Sequence, residues 1–279
     1  MLVTLKEVLD MAEKGGFAVP AFNVYNMETV MGAVQAAEEA KVPIIMQVYA
    51  RLFKDGGAYY LAPSIIAAAK KASVPICFHL DHGPSTLEMT RALYWGATGI
   101  MFDGSTLPFE ENVAQTRQAV DNCGYLGLSV EGELGHIGSV NDDSMEEFTD
   151  PEEAGRFVKE TGVCCLAVLV GNAHGRYKKP PKLDIDRVAA IYEATDHTPL
   201  VLHGGSGIPD DQIKLAVKAG IRKMNFGTDV CYSFLDAVGE EVNDPAHSVG
   251  IDIFMRKPIE SVKNFCLTKI KLLGAEGKA

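Results

Sequence analysis

The chain has 279 residues, of which 47% are hydrophobic, and its formal net charge is -11. This length and apolar content are enough for a large core and favour one α/β domain over residues 1–279 rather than two small domains. Lys and Arg are scattered along an acidic chain, which argues against a nucleic-acid partner.

The cysteines and the first residues indicate a cytoplasmic protein. None of the six cysteines has the Cys-x-x-Cys spacing, so we expect reduced, packed thiols. Lys6, Glu7, Asp10 and Glu13 stand where a secretory signal would need an uncharged stretch. No apolar run approaches membrane-spanning length, and we therefore expect a soluble protein without a membrane partner.

Sequence patterns typical of helices recur along the chain. A capping box begins at Thr4 and a stop lies at Gly15-Gly16, which together predict a short lid helix over residues 5–14. Asn26 is the expected cap of a helix over residues 27–40. Residues 49–60 look irregular and aromatic and precede a predicted helix over residues 63–72, and a later helix is predicted near residues 259–272.

Eight apolar runs between these helical patterns have the length and spacing of barrel strands. They cover residues 18–22, 43–48, 76–80, 99–102, 125–130, 164–170, 199–202 and 221–226. Alternation of this kind predicts a TIM barrel, (β/α)8, with a short N-terminal helix and a C-terminal helical extension.

Polar side chains follow the ends of these strands. Asp81 and His82 close the third strand, His174 lies just past the sixth, and His203 follows the seventh. The carboxyl ends of barrel strands meet at one face, so these side chains become neighbours. An isolated Asp-His pair is more often a cap beside a surface histidine, but three strand-end histidines can hold a catalytic zinc and leave its fourth position open.

The same face collects further polar residues. The full set expected there is Asn23, Asp81, His82, Asp103, Glu131, Glu133, His174, His203 and Asn225. Of the remaining histidines, His136, His197 and His247 look like loop residues, and His79 looks packed. Lys223 is the only lysine in a predicted strand and lies near the beginning of the eighth, at the wrong end of the barrel for an imine-forming enzyme.

Glycine-rich segments follow the last two strands. Gly204-Gly205-Ser206-Gly207 and residues 225–229 occupy the place where barrels commonly bind phosphate through backbone N–H groups. A Gly-Gly-Ser-Gly run alone is a common turn, and its position here favours phosphate. A hydrolase of the metal-barrel type would usually show His-x-His at the first strand, where this chain has Ala21-Phe22-Asn23. With imine-forming and hydrolytic enzymes disfavoured, metal-assisted chemistry on a phosphorylated carbonyl compound remains.

Six segments carry a resemblance to a known family. They are residues 18–23 (AVPAFN), 79–82 (HLDH), 129–135 (SVEGELG), 173–175 (AHG), 200–207 (LVLHGGSG) and 225–229 (NFGTD). In this order and with these residues, the chain resembles the class II, zinc-dependent ketose-bisphosphate aldolases, which include fructose- and tagatose-bisphosphate aldolases. The resemblance runs from about Val3 to the C-terminus.

The resemblance implies roles for individual residues. By position, His82, His174 and His203 match the zinc ligands, and Asp81 matches the acid/base that exchanges a proton with the C4 hydroxyl. Glu133 matches a carboxylate that can approach the metal in an alternate state. The residues implied around the phosphate of dihydroxyacetone phosphate and an adjacent monovalent cation, Na⁺ or K⁺, are Gly175, Gly204, Ser206, Asn225 and Thr228, with Asn23 near the substrate.

The resemblance also implies an activity. We expect reversible cleavage of a ketose phosphate such as fructose- or tagatose-1,6-bisphosphate into dihydroxyacetone phosphate and glyceraldehyde 3-phosphate, as in glycolysis, by a homodimer or homotetramer. One alternative is an aldolase for another phosphorylated sugar or sugar acid, such as 6-phospho-5-dehydro-2-deoxygluconate. Another is a barrel that binds metal and phosphate with little catalysis.

Three departures from the family pattern affect the far half of the substrate and one proton transfer. Where relatives carry Glu in the loop after the fifth strand, this chain has Asn141, which cannot accept a proton, followed by Asp142 and Asp143. Ala246 replaces an Arg that reaches the second phosphate from a neighbouring subunit in relatives. Residues 47–52 present Tyr49 and Arg51 instead of a small, Ser-rich turn.

Overall fold

Eight parallel strands close into a barrel in the computed structural model, which describes residues 1–138, 148–175, 177 and 180–279. The strands are β2 (Val19–Asn23), β3 (Ile44–Tyr49), β4 (Ile76–Gly83), β5 (Gly99–Phe102), β6 (Val130–Leu134), β7 (Cys165–Val168), β8 (Leu200–Leu202) and β9 (Ile221–Phe226). Each pairs with the next, and β9 pairs with β2 to close the ring. The predicted TIM barrel is thus confirmed.

Helices alternate with the strands. They are α1 (Leu5–Gly15), α2 (Met27–Ala40), α3 (Ala50–Lys54), α4 (Ala58–Lys71), α5 (Thr86–Tyr94), α6 (Phe109–Gly124), α7 (Pro151–Thr161), α8 (Ile185–Ala194), α9 (Asp210–Ala219), α10 (Thr228–Asn243), α11 (Ile251–Phe254) and α12 (Arg256–Leu272). The predicted cap of α2 is confirmed, because Asn26 accepts a hydrogen bond from the backbone N–H of Thr29. Asp150 caps α7 in the same way, accepting from the backbone N–H groups of its first turn.

The N-terminal segment covers the amino end of the barrel. The two residues of β1 (Leu2–Val3) pair with the start of β4. Helix α1 follows a capping box at Thr4 and buries one face, with Leu5 and Val8 fully inaccessible to solvent. It contacts the strands around the ring, from β2 to β5 and β9. The predicted lid helix therefore closes the end opposite the polar strand termini.

The prediction for the fifth barrel strand was wrong in its position. Residues 125–129 are not a strand: α6 continues to Gly124 and is followed by a turn in which Gly127 has a φ of 71°. Tyr125 and Leu126 are largely exposed in this turn, so these apolar side chains do not belong to a strand that packs in the barrel. The strand begins at Val130 and includes Glu131 and Glu133.

The segment expected to be irregular is also helical in part. Residues 50–54 form α3 and α4 begins at Ala58, five residues before Pro63. The proline therefore lies inside the helix and not in its first turn, at the loss of one backbone hydrogen bond. The helix continues past Pro63 to Lys71, and it buries Leu61 and Ile65 on either side of the proline.

The strands are buried on both faces, as parallel barrel strands must be when helices surround them. The C-terminal α12 packs against α2 and α10 and buries Val262, Cys266 and Ile270. No helix among the described residues combines the length and apolar character needed to cross a membrane. That residues 1–279 form one domain stays a prediction.

Candidate active site

Asp81 and His82 lie at the carboxyl end of β4, where the strand is irregular. The pairing of β4 with β5 shifts register between Leu80 and Gly83. His82 adopts a φ of 51° at this bulge, in the left-handed region that residues other than glycine rarely occupy. A regular strand would point two successive side chains to opposite faces. The bulge instead lets Asp81 and His82 line the same cavity.

Three imidazoles converge at this end of the barrel. His82 ends β4, His174 lies in the loop after β7, and His203 directly follows β8. The ring centroids are 4.7 Å apart for His82 and His203, 4.9 Å for His82 and His174, and 5.7 Å for His174 and His203. One nitrogen of each ring lies within 4.8 Å of the others. This spacing suits three nitrogen ligands of one divalent ion.

Two carboxylates determine which ring nitrogens face each other. His82 Nδ1 lies 2.7 Å from Asp103 Oδ2, and His203 Nε2 lies 2.9 Å from Glu131 Oε1. The other two nitrogens, His82 Nε2 and His203 Nδ1, are 3.0 Å apart. Two lone pairs repel at this distance, so a proton or a metal cation must lie between them. Without a metal the proton is held by His82: burial would lower its pKa, but Asp81 and Asp103 raise it to about 10.

Buried atoms without partners also fit a metal. Among the described residues, His174 Nε2 and Glu133 Oε2 are buried and accept or donate no hydrogen bond. Burial, and then the charges of His82 and His203, lower the pKa of His174 to about 3, which leaves its imidazole neutral. Glu133 Oε2 lies 3.9 Å from His82 Nδ1. His82, Asp103 and Glu133 form a second group of metal-binding type beside the three histidines.

Asp81 is held by two asparagines beside the imidazoles. Its Oδ2 accepts from Asn23 Nδ2 at 2.7 Å, and its Oδ1 accepts from Asn225 Nδ2 at 3.4 Å. Gln47 in turn donates to Asn23 Oδ1 at 2.8 Å. Burial alone would raise the pKa of Asp81, but the neighbouring positive charge of His82 and others holds it below its ordinary value. An ionised carboxylate in this position can accept a proton from a substrate hydroxyl.

A buried charged network lies beneath the imidazoles. The Lys223 ammonium lies 2.8 Å from Glu131 Oε2 and donates to Asn225 Oδ1 at 2.8 Å, and both charged side chains are fully buried. The backbone of Lys223 is in the first half of β9, as the sequence predicted. Its ammonium, however, reaches along the strand to the residues that hold His203 and Asp81, because the lysine side chain is long. Lys223 is not among the described residues that line the cavity.

Some residues near the site had no predicted role. Asp103 and Glu131 were expected at the strand ends, and the structure adds that each binds the imidazole of a candidate ligand. A carboxylate at a strand end in a histidine-containing barrel is the signal that could have indicated this. His79 is buried as predicted. His136, predicted in a loop, lines the cavity with its Nδ1 3.1 Å from Ser105 Oγ.

Glycines and short polar side chains form the cavity wall near β8 and β9. A Cβ atom on Gly204, which has a φ of 64°, would lie 2.1 Å from the carbonyl oxygen of Ala173, so only glycine allows this approach. Ser206 Oγ accepts from the backbone N–H of Asp229 at 3.2 Å. Asp229 is in the first turn of α10, which begins at Thr228. The helix N-terminus and the glycine backbone suit a phosphate.

One cavity of about 810 Å³ joins these parts. The residues predicted from sequence that line it are Asn23, Asp81, His82, Asp103, His174, Gly175, Gly204, Ser206, Asn225 and Thr228. His203 and Glu133 are fully buried and do not line it. The loop positions Asn141, Asp142 and Asp143 lie outside the described residues.

The fold and the site define a TIM-barrel enzyme with imidazoles and carboxylates able to hold a metal ion. A family model described as fructose-bisphosphate aldolase class-II matches residues 3–278. The chain belongs to the class II fructose-bisphosphate aldolase family, and it is an aldolase, a carbon–carbon lyase. The family is generally metal-dependent and acts on phosphorylated sugars. The resemblance drawn from the sequence motifs is thereby confirmed.

Solved structures of aldolases are similar over the whole chain. The YdjI aldolase from Escherichia coli K12 is 37% identical with a TM-score of 0.90, and the match covers 100% of both chains. A putative fructose-1,6-biphosphate aldolase from Coccidioides immitis is 28% identical with a TM-score of 0.88, over 98% of this chain and 97% of that one. The fructose-bisphosphate aldolase from Campylobacter jejuni, at 23% identity and a TM-score of 0.85 over 100% and 97% of the two chains, supports the fold.

Proposed function

We propose that the protein is a zinc-dependent aldolase that reversibly cleaves a ketose phosphate into dihydroxyacetone phosphate and an aldehyde. The observation that supports this most directly is the convergence of His82, His174 and His203 beside the ionised Asp81. Fructose- and tagatose-1,6-bisphosphate, which would release glyceraldehyde 3-phosphate, are the first substrates to test.

The three imidazoles would hold the zinc ion, and Glu133 would approach it in an alternate state. When bound, Zn²⁺ supplies a Lewis acid for the negative charge that develops on the substrate oxygens as the C3–C4 bond breaks. Asp103 and Glu131 keep His82 and His203 oriented. Each carboxylate accepts a hydrogen bond from the ring nitrogen that faces away from the other imidazoles.

Asp81 would accept the proton of the C4 hydroxyl during cleavage. The electrons of the C3–C4 bond pass to C3, which leaves an enediolate and a free aldehyde, and the proton returns from Asp81 in the reverse reaction. Asn23 donates to one oxygen of the Asp81 carboxylate and Asn225 donates to the other. These hydrogen bonds fix the orientation of the carboxylate and leave it charged. This arrangement supports its assignment as the catalytic acid/base.

The phosphate of dihydroxyacetone phosphate would lie at the wall formed after β8 and β9. Gly175, Gly204, Ser206, Asn225 and Thr228 line the cavity on that side. Backbone N–H groups at the start of α10 provide donors for the phosphate oxygens. A monovalent cation, Na⁺ or K⁺, beside the phosphate is part of the proposal.

Triose-phosphate release from candidate ketose phosphates, measured with and without a chelator, tests this function. We expect turnover that is lost on chelation and restored by zinc. Turnover that ignores chelation would remove the metal role, and absence of triose phosphate from every candidate would remove the aldolase assignment for these substrates.

A second candidate is an aldolase of the same type with a different aldehyde half, such as 6-phospho-5-dehydro-2-deoxygluconate. Ala246 favours it, because this exposed residue carries no group for a second phosphate. A panel of bisphosphorylated and monophosphorylated sugars separates the two candidates. A wide preference for bisphosphates would defeat the second.

A barrel that binds metal and phosphate with little catalysis is a third candidate, suggested by Asn141 in place of the usual loop Glu. Robust turnover in the same panel removes it. If position 141 limits the rate, Asn141→Glu should raise activity, and no gain would direct attention to Asp142 or Asp143.

We also infer a cytoplasmic homodimer or homotetramer. The family resemblance supports the assembly, and the cysteine spacing and the charged N-terminal residues support the location. Light scattering coupled to size-exclusion chromatography measures the assembly, and a monomeric mass would contradict it.

A further inference from the structure

Two cations line the cavity that His82, His174 and the glycine wall also line. Arg51 and Lys54 lie on α3, which directly follows β3 and therefore stands at the carboxyl end of the barrel. Neither side chain forms an ion pair within the described part of the chain. From sequence, Arg51 is known only as a departure from the family pattern and Lys54 has no predicted role, and neither belongs to the group of candidate metal ligands.

The backbone that carries these cations is anchored. Phe53 is buried and stacks on Phe78 of β4 with ring centroids 6.5 Å apart and an interplanar angle of 21°. The carbonyl of Arg51 accepts from the Asp55 backbone N–H at 2.8 Å. The position of the two cations relative to β4, the strand that ends in Asp81, is thus set by packing.

Arg51 lies over an aromatic ring that is itself close to a candidate metal ligand. Its guanidinium carbon lies 5.3 Å from the ring centroid of Tyr49, a cation–π distance. The same ring is 5.9 Å from the imidazole of His82. Tyr49 therefore links a cation of α3 to a candidate metal ligand, and both side chains face the same cavity.

One acidic residue that also lines the cavity already has partners of its own. Glu88 of α5 is already engaged, because it accepts from Arg91 at 3.2 Å and from the hydroxyl of Ser85. In an acidic protein, an anionic ligand needs local cations of this kind. Arg51 and Lys54 are free to provide them.

We propose that Arg51 and Lys54 form a subsite for an anionic group, carboxylate or phosphate, at the end of the substrate that is released as the aldehyde. The inference rests on the proposed function and names the substrate class: a ketose phosphate with a second negative charge at its far end. The phosphate wall follows β8 and β9 and the two cations follow β3, so they line different parts of one cavity and each would bind one charged end of such a substrate. The subsite supplies from within the chain what Ala246 does not.

The aldol direction tests this directly. Dihydroxyacetone phosphate is offered with glyceraldehyde 3-phosphate, with succinic semialdehyde and with neutral glyceraldehyde, for the parent enzyme, Arg51→Gln, Lys54→Gln and the double variant. We expect kcat/KM for the anionic aldehydes relative to glyceraldehyde to fall roughly tenfold for each cation removed, mainly through KM. The relative effect on the phosphate and carboxylate aldehydes identifies which anion the subsite prefers.

Lys71→Gln is the matched control, because Lys71 is exposed in the last turn of α4 at the opposite end of the barrel. This variant also removes one positive charge, and the ratio of kcat/KM for the anionic aldehydes to kcat/KM for glyceraldehyde should stay as in the parent enzyme. Equal loss for charged and neutral aldehydes in the double variant, or the same change in the control, would overturn the subsite.

Binding without turnover separates failure of the subsite from failure of the proposed reaction. Calorimetric titration with 3-phosphoglycerate, an unreactive anion, is carried out in the presence of dihydroxyacetone phosphate. Binding at least tenfold weaker in the double variant than in the parent supports the subsite even if no aldol product forms. Equal affinity in both proteins refutes it whatever the activity.

Discussion

The ammonium of Lys223 lies 2.8 Å from the carboxylate of Glu131 at the floor of the site, and both groups are fully buried. Glu131 holds the outer nitrogen of His203, and Lys223 also donates to Asn225, which donates to Asp81. One ion pair thus connects the positions of a candidate metal ligand and the candidate acid/base.

Replacing the buried lysine should damage both stability and metal binding. Lys223→Met leaves Glu131 as an uncompensated buried charge, for which we expect a loss of roughly 3–5 kcal/mol in the free energy of unfolding. Zinc affinity should fall roughly 10–100-fold as His203 loses its fixed orientation. Urea unfolding and competition with a chromophoric chelator measure the two effects.

The double variant Lys223→Met with Glu131→Gln is the control for this prediction. It removes both charges and retains an acceptor for His203, so it should recover part of the lost stability. A single variant as stable as the parent would contradict the role of the ion pair.

Asp81→Asn should separate proton transfer from metal binding. The amide keeps the shape of the side chain but cannot accept the hydroxyl proton, and we expect kcat to fall by roughly 10²–10⁴. Zinc content, measured by plasma mass spectrometry, should stay stoichiometric, since Asp81 is not in the imidazole group. Metal lost in parallel with activity would instead make Asp81 a determinant of the metal site.

His82→Ala should lose most bound metal and most activity. Loss of a residue that only hydrogen-bonds a metal ligand weakens metal binding roughly 10–100-fold. Loss of the ligand His82 itself should raise the zinc dissociation constant by more than this. His197→Ala is the control, because this histidine is exposed and, among the residues that the structure describes, its only ion-pair partner is Glu193 on α8. Stoichiometric zinc in His82→Ala would contradict the ligand assignment.

The buried His79 should make the metal-free protein sensitive to acid. Burial, and then the charge of Lys223, lower the pKa of His79 below its ordinary value. As pH falls below about 6.5 the unfolded chain binds the proton before the folded protein does, so the stability present at neutral pH is lost at up to roughly 1.4 kcal/mol per pH unit.

The contribution of His79 is isolated by His79→Asn. Urea unfolding of chelator-treated protein at pH 7.5, 6.0 and 5.0 should give a shallower loss of stability in the variant than in the parent. His174 and His203 also have lowered pKa values, and their contribution to the pH dependence of stability should be the same in the parent and in the variant. Parallel slopes would show that His79 does not titrate differently on folding.

The sequence by itself determined the barrel and the participants of the site. Alternating apolar runs and capped helices identify eight strand–helix units, and polar residues that follow strands must meet at one end of a parallel barrel. Asp81, His82, His174 and His203 could therefore be named before any coordinates. Apolar pattern alone failed at residues 125–129, because exposed Tyr125 and Leu126 in a turn resemble a strand.

Only the tertiary structure decided how these side chains are oriented. The bulge that turns His82 into the cavity depends on pairing between β4 and β5, which local sequence does not encode. The contact of Lys223 with Glu131 joins β9 to β6, three strands away around the ring, and the lysine side chain is long enough to place its charge two residues further along β9, beside Asn225. Distances across a closed barrel arise from closure itself, so they cannot be read from spacing along the chain.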